Sequence, residues 1–438
     1  DPHFPRQLYL VTGSLKLDTY RYEHAARLGP LHLLLVTHNL NYEGAPLFLL
    51  EYAAFMVRHE GFKIDLIAAE DGPLRSAYEA LGIKITVVDR HPLHGARNDA
   101  EFAEQLEVMR SRLDFNGVDV VLCNTVACWW GVHLAAAAGK PSMLYVHESA
   151  TIKRFFSKML HKHMHHLARA AFRQATRVCF LCRSTRSYYE EFNDYDNYRF
   201  VSSWIDLPRI EAFKRAHTKT ALRRKYGYGE DETIIANIGT VCERKGQHIF
   251  IRTIDTFMRQ YAAGAKYRFL FVGGRPGEYQ DSRIRDMAML GITTVEIITE
   301  TRDAYDFFVL SDMFVCTSYE ESFPRVLLEA MAFEVPIVST NVHGVPEMVT
   351  HRAEANLVDA GDPVKFAQVM KACLEKQLNG ASTAPMGYSK VVRAYDIDRV
   401  LPKHADAARE AVLDFDGNVH RTAPNRLSGQ GDRVESTW

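Results

Sequence analysis

Two carboxylates stand eight residues apart, Glu321 and Glu329, near the start of an expected helix. The apolar run 313–316 suits a buried strand, and apolar residues recur at helical spacing over 324–333 after a proline in the first turn. Glu321 then lies in the loop before the helix and Glu329 inside it. Because a helix N-terminus carries unpaired N–H groups and a partial positive charge, this arrangement suits an anionic ligand such as a diphosphate. By itself, the pair also fits a loop charge and an exposed helix residue.

Two cations, Arg244 and Lys245, follow a strand that ends in Gly239 and open an expected helix over 245–261. Cations are unfavourable at a helix start because they repel its partial positive charge. The pair therefore predicts a negative group nearby, and a diphosphate would satisfy it. Two exposed loop cations are the alternative interpretation.

The first half of the chain offers two further candidates. His147 follows the apolar strand 142–146, and Gly44 lies in the loop after the strand 31–36. Ligands of open α/β sheets bind outside the carboxyl ends of the strands, so both residues are placed for binding. A hydrogen-bonded structural histidine is the alternative interpretation of His147.

The elements that position these residues alternate between strand and helix in two successive runs. This rhythm predicts an α/β protein with two doubly wound, Rossmann-like domains that face each other across a cleft. We place the first domain at 31–205 and the second at 206–380. A 1–30 extension, whose role is not readable, precedes them, and a polar 381–438 segment with a disordered tail follows.

Composition excludes several classes of protein. A net charge of -1 gives no electrostatic reason to expect nucleic acid binding. No apolar run approaches the roughly 20 residues of a membrane-spanning helix. The seven cysteines lack the paired spacing of a zinc site, which favours reduced thiols in a cytoplasmic protein. The chain begins with Asp1 rather than Met, as expected of a piece of a longer polypeptide.

A basic segment over 150–187 contains no acidic residue, and its cations alternate with apolar residues. Such an amphipathic segment could lie on an anionic membrane surface or face a phosphorylated acceptor. A solvated basic face is the third interpretation. Histidines recur over 161–166, but no supporting carboxylate precedes them, so we expect no metal site there.

Taken together, the motifs resemble a known enzyme family. Lys245-Gly246 after a glycine-ended strand, then FVGG, then YEESFPRVLLEAMAFEVPIVSTNVHGVPEMV are similar in order and spacing to the family 4 glycosyltransferases. These are retaining enzymes that use nucleotide-sugar donors and have the GT-B fold. The resemblance covers 230–350 most closely and 31–205 more loosely, where Gly44 and His147 match the first loop and the active-site histidine.

The resemblance implies a role for each site residue. Lys245, with Arg244 beside it, would neutralise the donor diphosphate. Glu329 would accept hydrogen bonds from the nucleotide ribose, and Glu321 would contact the transferred sugar or stabilise its developing positive charge. His147 would contact the sugar from the opposite domain. No metal and no other cofactor is implied.

The resemblance also assigns donor binding to backbone N–H groups, those of Phe323, Arg325, Val326 and Leu327. Gly44 belongs to the same donor-binding set. Pro324 departs from the family, which has glycine there, and it removes one N–H group. In this fold the terminal region often packs back on the first domain, which we predict for 390–413.

Three further departures bear on which sugar is bound. Ser322 and His343 stand where the family has glycine, and His343 would narrow the pocket. Thr240 replaces the family's arginine, which leaves Arg244 as the substitute.

The resemblance therefore implies transfer of a sugar from a nucleotide donor to a glycan or lipid-linked acceptor, in the synthesis of a surface polysaccharide. The first domain would bind the acceptor and the second the donor. We expect a cytoplasmic protein, held at the inner face of the membrane if the basic segment binds lipid. Two alternatives stay open: a non-catalytic nucleotide-sugar-binding module of a larger glycosyltransferase, and a nucleotide-sugar epimerase of the same fold.

Overall fold

The computed structural model describes residues 28–301 and 304–416. In these ranges the chain forms two parallel sheets with helices packed on both faces of each. The prediction of two doubly wound α/β domains is thus confirmed. The predictions for 1–27 and for the tail from 417 onward lie outside the described residues.

The first sheet has seven strands: β1 (His32–Thr37), β2 (Lys63–Ala68), β3 (Lys84–Val87), β4 (Val120–Asn124), β5 (Ser142–Val146), β6 (Arg177–Phe180) and β7 (Tyr198–Phe200). Their order is β3-β2-β1-β4-β5-β6-β7, and neighbouring strands are parallel. The chain moves outward from β1 to β3 and then returns to form β4 on the other side of β1. This reversal places a ligand crevice at the carboxyl ends of β1 and β4.

The helices of the first domain are α1 (Gly44–His59), α2 (Arg75–Glu79), α3 (His91–His94), α4 (Asp99–Ser111), α5 (Trp129–Ala137), α6 (Ile152–Phe155), α7 (His165–Gln174) and α8 (Arg183–Ser187). Between His32 and Thr37, strand β1 consists of four apolar residues, as suits a strand that is buried on both faces. Leu33 and Leu35 pack in one core layer, and Leu34 and Val36 pack in the other.

The second sheet has six strands: β8 (Glu232–Ile238), β9 (Lys266–Gly274), β10 (Val295–Thr299), β11 (Met313–Cys316), β12 (Ile337–Thr340) and β13 (Asn356–Val358). They are parallel in the order β10-β9-β8-β11-β12-β13, which repeats the reversal of the first sheet. The remaining helices are α9 (Leu207–Ala216), α10 (Lys219–Tyr226), α11 (Gln247–Tyr261), α12 (Glu278–Leu290), α13 (Ala304–Leu310), α14 (Arg325–Ala332), α15 (Val345–Met348), α16 (Pro363–Leu378), α17 (Ala384–Ala394) and α18 (Ile397–Asp416).

One predicted helix start was wrong. The helix expected from Lys245 begins at Gln247, because Gly246 adopts a left-handed conformation with φ 68° and interrupts the chain's helical path. Arg244 and Lys245 lie instead in a 3₁₀ turn before it, over Glu243–Lys245.

The last helix, α18, returns to the first domain. Its apolar face joins the core layer that contains β1 and α1. His404 lies on this face: its Nε2 donates to the Ser202 carbonyl at 2.8 Å, and its Nδ1 accepts from the Tyr145 hydroxyl at 2.9 Å. Buried Arg177 on β6 binds two carboxylates of the same helix, Glu410 at 3.0 Å and Asp414 at 2.7 Å. The C-terminal helix is thus part of the first domain's structure.

The basic segment over 150–187 is divided among α6, a 3₁₀ turn, α7, β6 and α8 rather than forming one long helix. Several apolar side chains of the segment, Phe156, Leu160 and Met164, are buried in the first domain's core. Apart from the buried Arg177, its cations reach solvent without a continuous apolar face beside them. Over 28–301 and 304–416, no helix combines the length and the apolar content that crossing a bilayer requires.

Candidate active site

The predicted site residues lie where the carboxyl edges of the two sheets meet. His147 follows β5 of the first domain, and Glu321 lies in the loop between β11 and α14 of the second. Ser322, directly after Glu321, donates a hydrogen bond from Oγ to the backbone oxygen of His147 at 2.7 Å. This contact places the histidine of one domain beside the carboxylate loop of the other.

Lys245 and Glu321 form a largely buried ion pair. Lys245 Nζ lies 2.5 Å from Glu321 Oε1, and the two side chains are 15% and 6% exposed. Ser318 donates a hydrogen bond from Oγ to the same oxygen at 2.6 Å. Arg244 Nη1 stands 4.0 Å from Glu321 Oε2 but remains half exposed. The negative group predicted beside the two cations is therefore supplied by the protein itself.

The surroundings of Glu321 determine its charge. Burial opposes its ionisation, but the charges of Lys245 and Arg244 and the hydrogen bonds outweigh burial and hold its pKa below the usual range. The carboxylate is thus ionised at neutral pH. An anionic ligand that reached Lys245 would compete with Glu321 for its ammonium group. Arg244, half exposed and 3.4 Å from the carbonyl oxygen of Glu320, stands beside the same position.

Two glycines let the site loops approach closely. A Cβ on Gly246, whose φ is +68°, would lie 2.1 Å from the carbonyl oxygen of Thr317. A Cβ on Gly344 would lie 1.6 Å from the carbonyl oxygen of Ser322. Thr317 also donates from Oγ1 to the carbonyl of Lys245 at 3.1 Å. The Lys-Gly and His-Gly pairs of the sequence are therefore required by backbone contacts around the carboxylate loop.

Glu329 lies on α14 with 14% of its side chain exposed. Its Oε1 accepts a hydrogen bond from Arg325 Nε at 3.2 Å. Burial raises the pKa of Glu329, and the charge of Arg325 opposes this rise. The second carboxylate is thus held by an arginine one helical turn earlier, whereas the first is held by a lysine from another loop.

The backbone donors predicted around α14 differ from one another. The N–H of Leu327 donates to the carbonyl of Pro324 at 3.0 Å, so it is engaged within the first turn. The N–H groups of Arg325 and Val326 belong to that same turn, where an α-helix supplies no carbonyl partner. The Phe323 side chain is partly buried against the cores of both domains.

His147 is a neutral imidazole. Its Nε2 lies 2.9 Å from Asn124 Oδ1, and Asn124 Nδ2 donates to the carbonyl of Ala45 at 2.9 Å. Because the amide nitrogen is used by Ala45, the oxygen faces the ring, so Nε2 carries the proton and Nδ1 is left as an acceptor. Burial, together with the nearby His38 and His404, lowers the pKa of His147 to about 3. The residue can accept or donate a hydrogen bond, but it carries no charge at neutral pH.

Gly44 is the first residue of α1, and open space surrounds the position of a Cβ on it. Its backbone can therefore be approached by a ligand, although the fold itself does not require glycine there.

Sequence reasoning missed Asn124 and Glu51. Asn124 ends β4 beside the sheet reversal, where the rule for ligand crevices could have found it; Glu51 is a mid-helix residue with no local signal. Over the described ranges, no group of three or more potential ligands is arranged to hold a metal ion.

Residues 42–209 match the model of Glycosyltransferase Family 4, and residues 232–376 match that of Glycosyl transferases group 1. The chain is 26% identical over 191 residues to a putative glycosyltransferase, YtcC, of Bacillus subtilis, covering 41% of this chain and 46% of that protein. It is 28% identical over 231 residues to D-inositol 3-phosphate glycosyltransferase of Salinispora tropica, covering 51% and 47%.

A third relative is the capsular polysaccharide biosynthesis glycosyltransferase CapM of Staphylococcus aureus, 26% identical over 152 residues, covering 35% and 38%. The matches span about half or less of these relatives' lengths. Among solved structures, HepE of Anabaena in complex with UDP aligns with a TM-score of 0.70 at 17% identity, over 86% of this chain and 99% of that one. The lipopolysaccharide glycosyltransferase WaaG aligns with a TM-score of 0.65 at 15% identity, over 86% and 99%. The predicted GT-B fold is confirmed.

Proposed function

The chain belongs to the family 4 glycosyltransferases, and we propose that it transfers a sugar from a nucleotide-sugar donor to a glycan or lipid-linked acceptor with retention of configuration. The observation that carries this proposal is the hydrogen bond between Ser322 and His147. It joins a histidine from the first domain to the loop of Glu321, beside Lys245. A donor bound to the second domain would therefore present its sugar to the first.

Each charged group has a place in the proposed reaction. Transfer breaks the bond between the sugar C1 and the donor phosphate oxygen, and the acceptor hydroxyl oxygen forms the new bond on the same face. The acceptor's proton leaves with the departing diphosphate. Negative charge grows on that diphosphate, and Lys245 with Arg244 would stabilise it, as would the first turn of α14. This set of cations needs no metal ion to balance the charge.

The two carboxylates would serve different parts of the donor. Glu321 is ionised and buried, so it can stabilise the positive charge that develops at the sugar. Glu329 accepts from Arg325 at Oε1, so its other oxygen, Oε2, can accept from ribose hydroxyls. His147, being neutral, would accept or donate a hydrogen bond to a sugar hydroxyl without adding charge.

The acceptor would approach from the basic segment of the first domain. Lys153, Lys162 and Arg169, with two histidines, line a cavity of about 290 Å³. Arg154 of the same segment pairs across the cleft with Glu320, next to Glu321. One relative is named for a phosphorylated acceptor and another for a capsular polysaccharide. We therefore assign this surface to an anionic acceptor in surface polysaccharide synthesis, carried out in the cytoplasm, at the inner membrane face when the acceptor is lipid-linked.

Turnover assays test the assignment. Nucleotide sugars, beginning with UDP-glucose, are incubated with the protein and a pool of acceptors, and both nucleoside diphosphate release and the anomeric configuration of the product are measured. We expect release to depend on acceptor and to fall by about 100-fold or more in Glu329→Ala, as for loss of one preorganised group. Unchanged turnover in Glu329→Ala would refute the assignment.

Other outcomes would favour the alternatives. An isomerised nucleotide sugar formed without acceptor indicates the epimerase. Tight nucleotide binding with no turnover on any acceptor indicates a binding module. A triple charge reversal, Lys153→Glu with Lys162→Glu and Arg169→Glu, distinguishes the acceptor's form: weaker retention on vesicles of anionic lipid at low salt supports a lipid-linked acceptor, and a raised KM for a soluble phosphorylated sugar supports a free one.

A further inference from the structure

One side chain joins the donor carboxylate to the opposite domain. Arg325, the first residue of α14, donates from Nη1 and Nη2 to the two carboxylate oxygens of Glu51 at 2.6 and 2.7 Å. Its remaining donor, Nε, lies 3.2 Å from Glu329 Oε1. Glu51 lies on α1 of the first domain. The guanidinium of Arg325 therefore links the two domains and also contacts Glu329, the proposed ligand of the ribose.

From this geometry we propose that Arg325 is a positioning residue, which holds the Glu329 carboxylate in the orientation that binds the nucleotide ribose. Through Glu51, Arg325 also couples the position of Glu329 to the contact between the two domains. The inference rests on the proposed function and extends it to the side chain of Arg325, whereas the sequence had predicted a role for the backbone N–H of this residue only. A planar guanidinium suits the task, because its fork binds one carboxylate while Nε remains for another.

The burial of the three groups explains why the arginine matters. The side chains of Arg325, Glu51 and Glu329 are 24%, 22% and 14% exposed. Without the arginine, two largely buried carboxylates would remain close to each other, with the more weakly acting Arg209 and the Tyr305 phenol as the other groups near Glu329. Each would then favour protonation, because burial and a neighbouring like charge both raise a carboxyl pKa. A protonated Glu329 is a weaker acceptor for ribose hydroxyls.

Glu51 is itself held in place, which makes the bridge a defined geometry. Trp204, fully buried in the connection between the domains, donates from Nε1 to Glu51 Oε2 at 3.0 Å. Its ring packs on Phe48 at 4.1 Å between centroids, and Phe48 packs edge-on against His147 at 4.7 Å. The same packed groups therefore support His147 on the first domain. Through Glu51 and Arg325 they also support Glu329, the proposed ribose ligand, on the second.

A binding experiment over pH tests the inference. The affinity for UDP-glucose, and for GDP-mannose as a second probe, is measured calorimetrically from pH 5.5 to 8.5 for wild type, Arg325→Met and Arg325→Lys. We expect Arg325→Met to bind the probe about tenfold more weakly at the low end, the loss expected of one charge-assisted hydrogen bond. The deficit should shrink as pH rises, because Glu329 in this variant regains its charge. Arg325→Lys restores the cation and should recover much of the affinity and the flatter profile.

Two further variants separate positioning from general loosening of the interface. Glu51→Gln keeps Arg325 on Glu329 and should weaken binding less than Arg325→Met, with little dependence on pH. Arg275→Met removes another interdomain arginine, which pairs with Glu43 at 3.6 Å and with Glu300 at 3.0 Å but does not contact Glu329. Any effect of this control should be independent of pH.

The outcomes distinguish the two levels of the proposal. If the wild type binds a nucleotide sugar and Arg325→Met binds it with equal or higher affinity, the positioning role is overturned, because the arginine would then contribute nothing to binding or would block the ribose site. An equal, pH-independent loss in Arg325→Met and Arg275→Met also overturns it, in favour of simple interdomain bracing. A wild-type protein that binds no nucleotide sugar, with UDP, GDP and ADP sugars tried, overturns the proposed function and this inference with it.

Discussion

The ion pair of Lys245 and Glu321 can be tested by removing each partner in turn. Lys245→Met keeps the aliphatic stem and removes the charge, and Glu321→Gln keeps the shape and removes the charge. Because both side chains are largely buried, at 15% and 6% exposure, the partner that is left behind cannot be fully hydrated. The two single variants and the double variant form a thermodynamic cycle.

The expected magnitudes follow from the surroundings of each group. Breaking a buried pair by removing one partner costs about 3–5 kcal/mol. In Lys245→Met, Arg244 lies 4.0 Å away and recovers part of this, so we expect a loss of about 3 kcal/mol in the free energy of unfolding. Lys245 is the more exposed partner, so Glu321→Gln should lose about 1–2 kcal/mol. The double variant should be more stable than the sum of the losses implies, by about 2 kcal/mol.

Urea denaturation of the four proteins measures these differences. With a slope near 2 kcal/mol per molar, typical of a domain of this size, the Lys245→Met loss shifts the midpoint by about 1.5 M. UDP-glucose at about 100 times its dissociation constant should add about 2.7 kcal/mol to the wild type and much less to Lys245→Met. Strictly additive losses would refute the coupling of the pair, and full ligand stabilisation of Lys245→Met would refute its role toward the diphosphate.

Two further predictions concern His147 and the C-terminal helix. Burial lowers the pKa of His147 to about 3, so its imidazole is already neutral above pH 5. The pH–rate profiles of wild type and His147→Gln should therefore have the same shape from pH 5 to 8, with a lower rate in the variant. An inflection near neutral pH that only the wild type shows would contradict this. Arg177→Met removes the buried cation that binds Glu410 and Asp414. Hydrogen exchange, measured by mass spectrometry, should then become faster in the last turns of α18, because the free energy of opening these turns falls by about 2–3 kcal/mol. Unchanged protection there would contradict the anchoring role.

Local sequence pattern was sufficient for most of the fold. Strands buried on both faces, such as β1 and β5, appear as short apolar runs, and the helices between them show their 3.6-residue period. The start of α11 was missed because one residue, Gly246, has to be left-handed to clear a carbonyl 71 positions later in the chain, at Thr317. No pattern within a window of a few residues contains that contact.

The candidate site divides in the same way. Motif order pointed to Lys245, Glu321, Glu329 and His147, and the charge of two adjacent cations predicted a negative group beside them. That the group is Glu321 depends on two loops that lie 76 residues apart in the chain. The bound diphosphate that the sequence also suggested beside Lys245 stays a prediction.

The two-domain α/β architecture, the family resemblance and the residue types available for donor chemistry could be predicted from the sequence, because they follow from periodicity, composition and the order and spacing of motifs. The pairing of the charges became visible in the folded structure alone. Arg325 finds Glu51 across 274 residues and a domain boundary, and His147 meets the loop after Glu321 across 175. Such pairings depend on how two folded domains face each other, and that arrangement is set by the sum of many weak packing contacts rather than by any local run of residues.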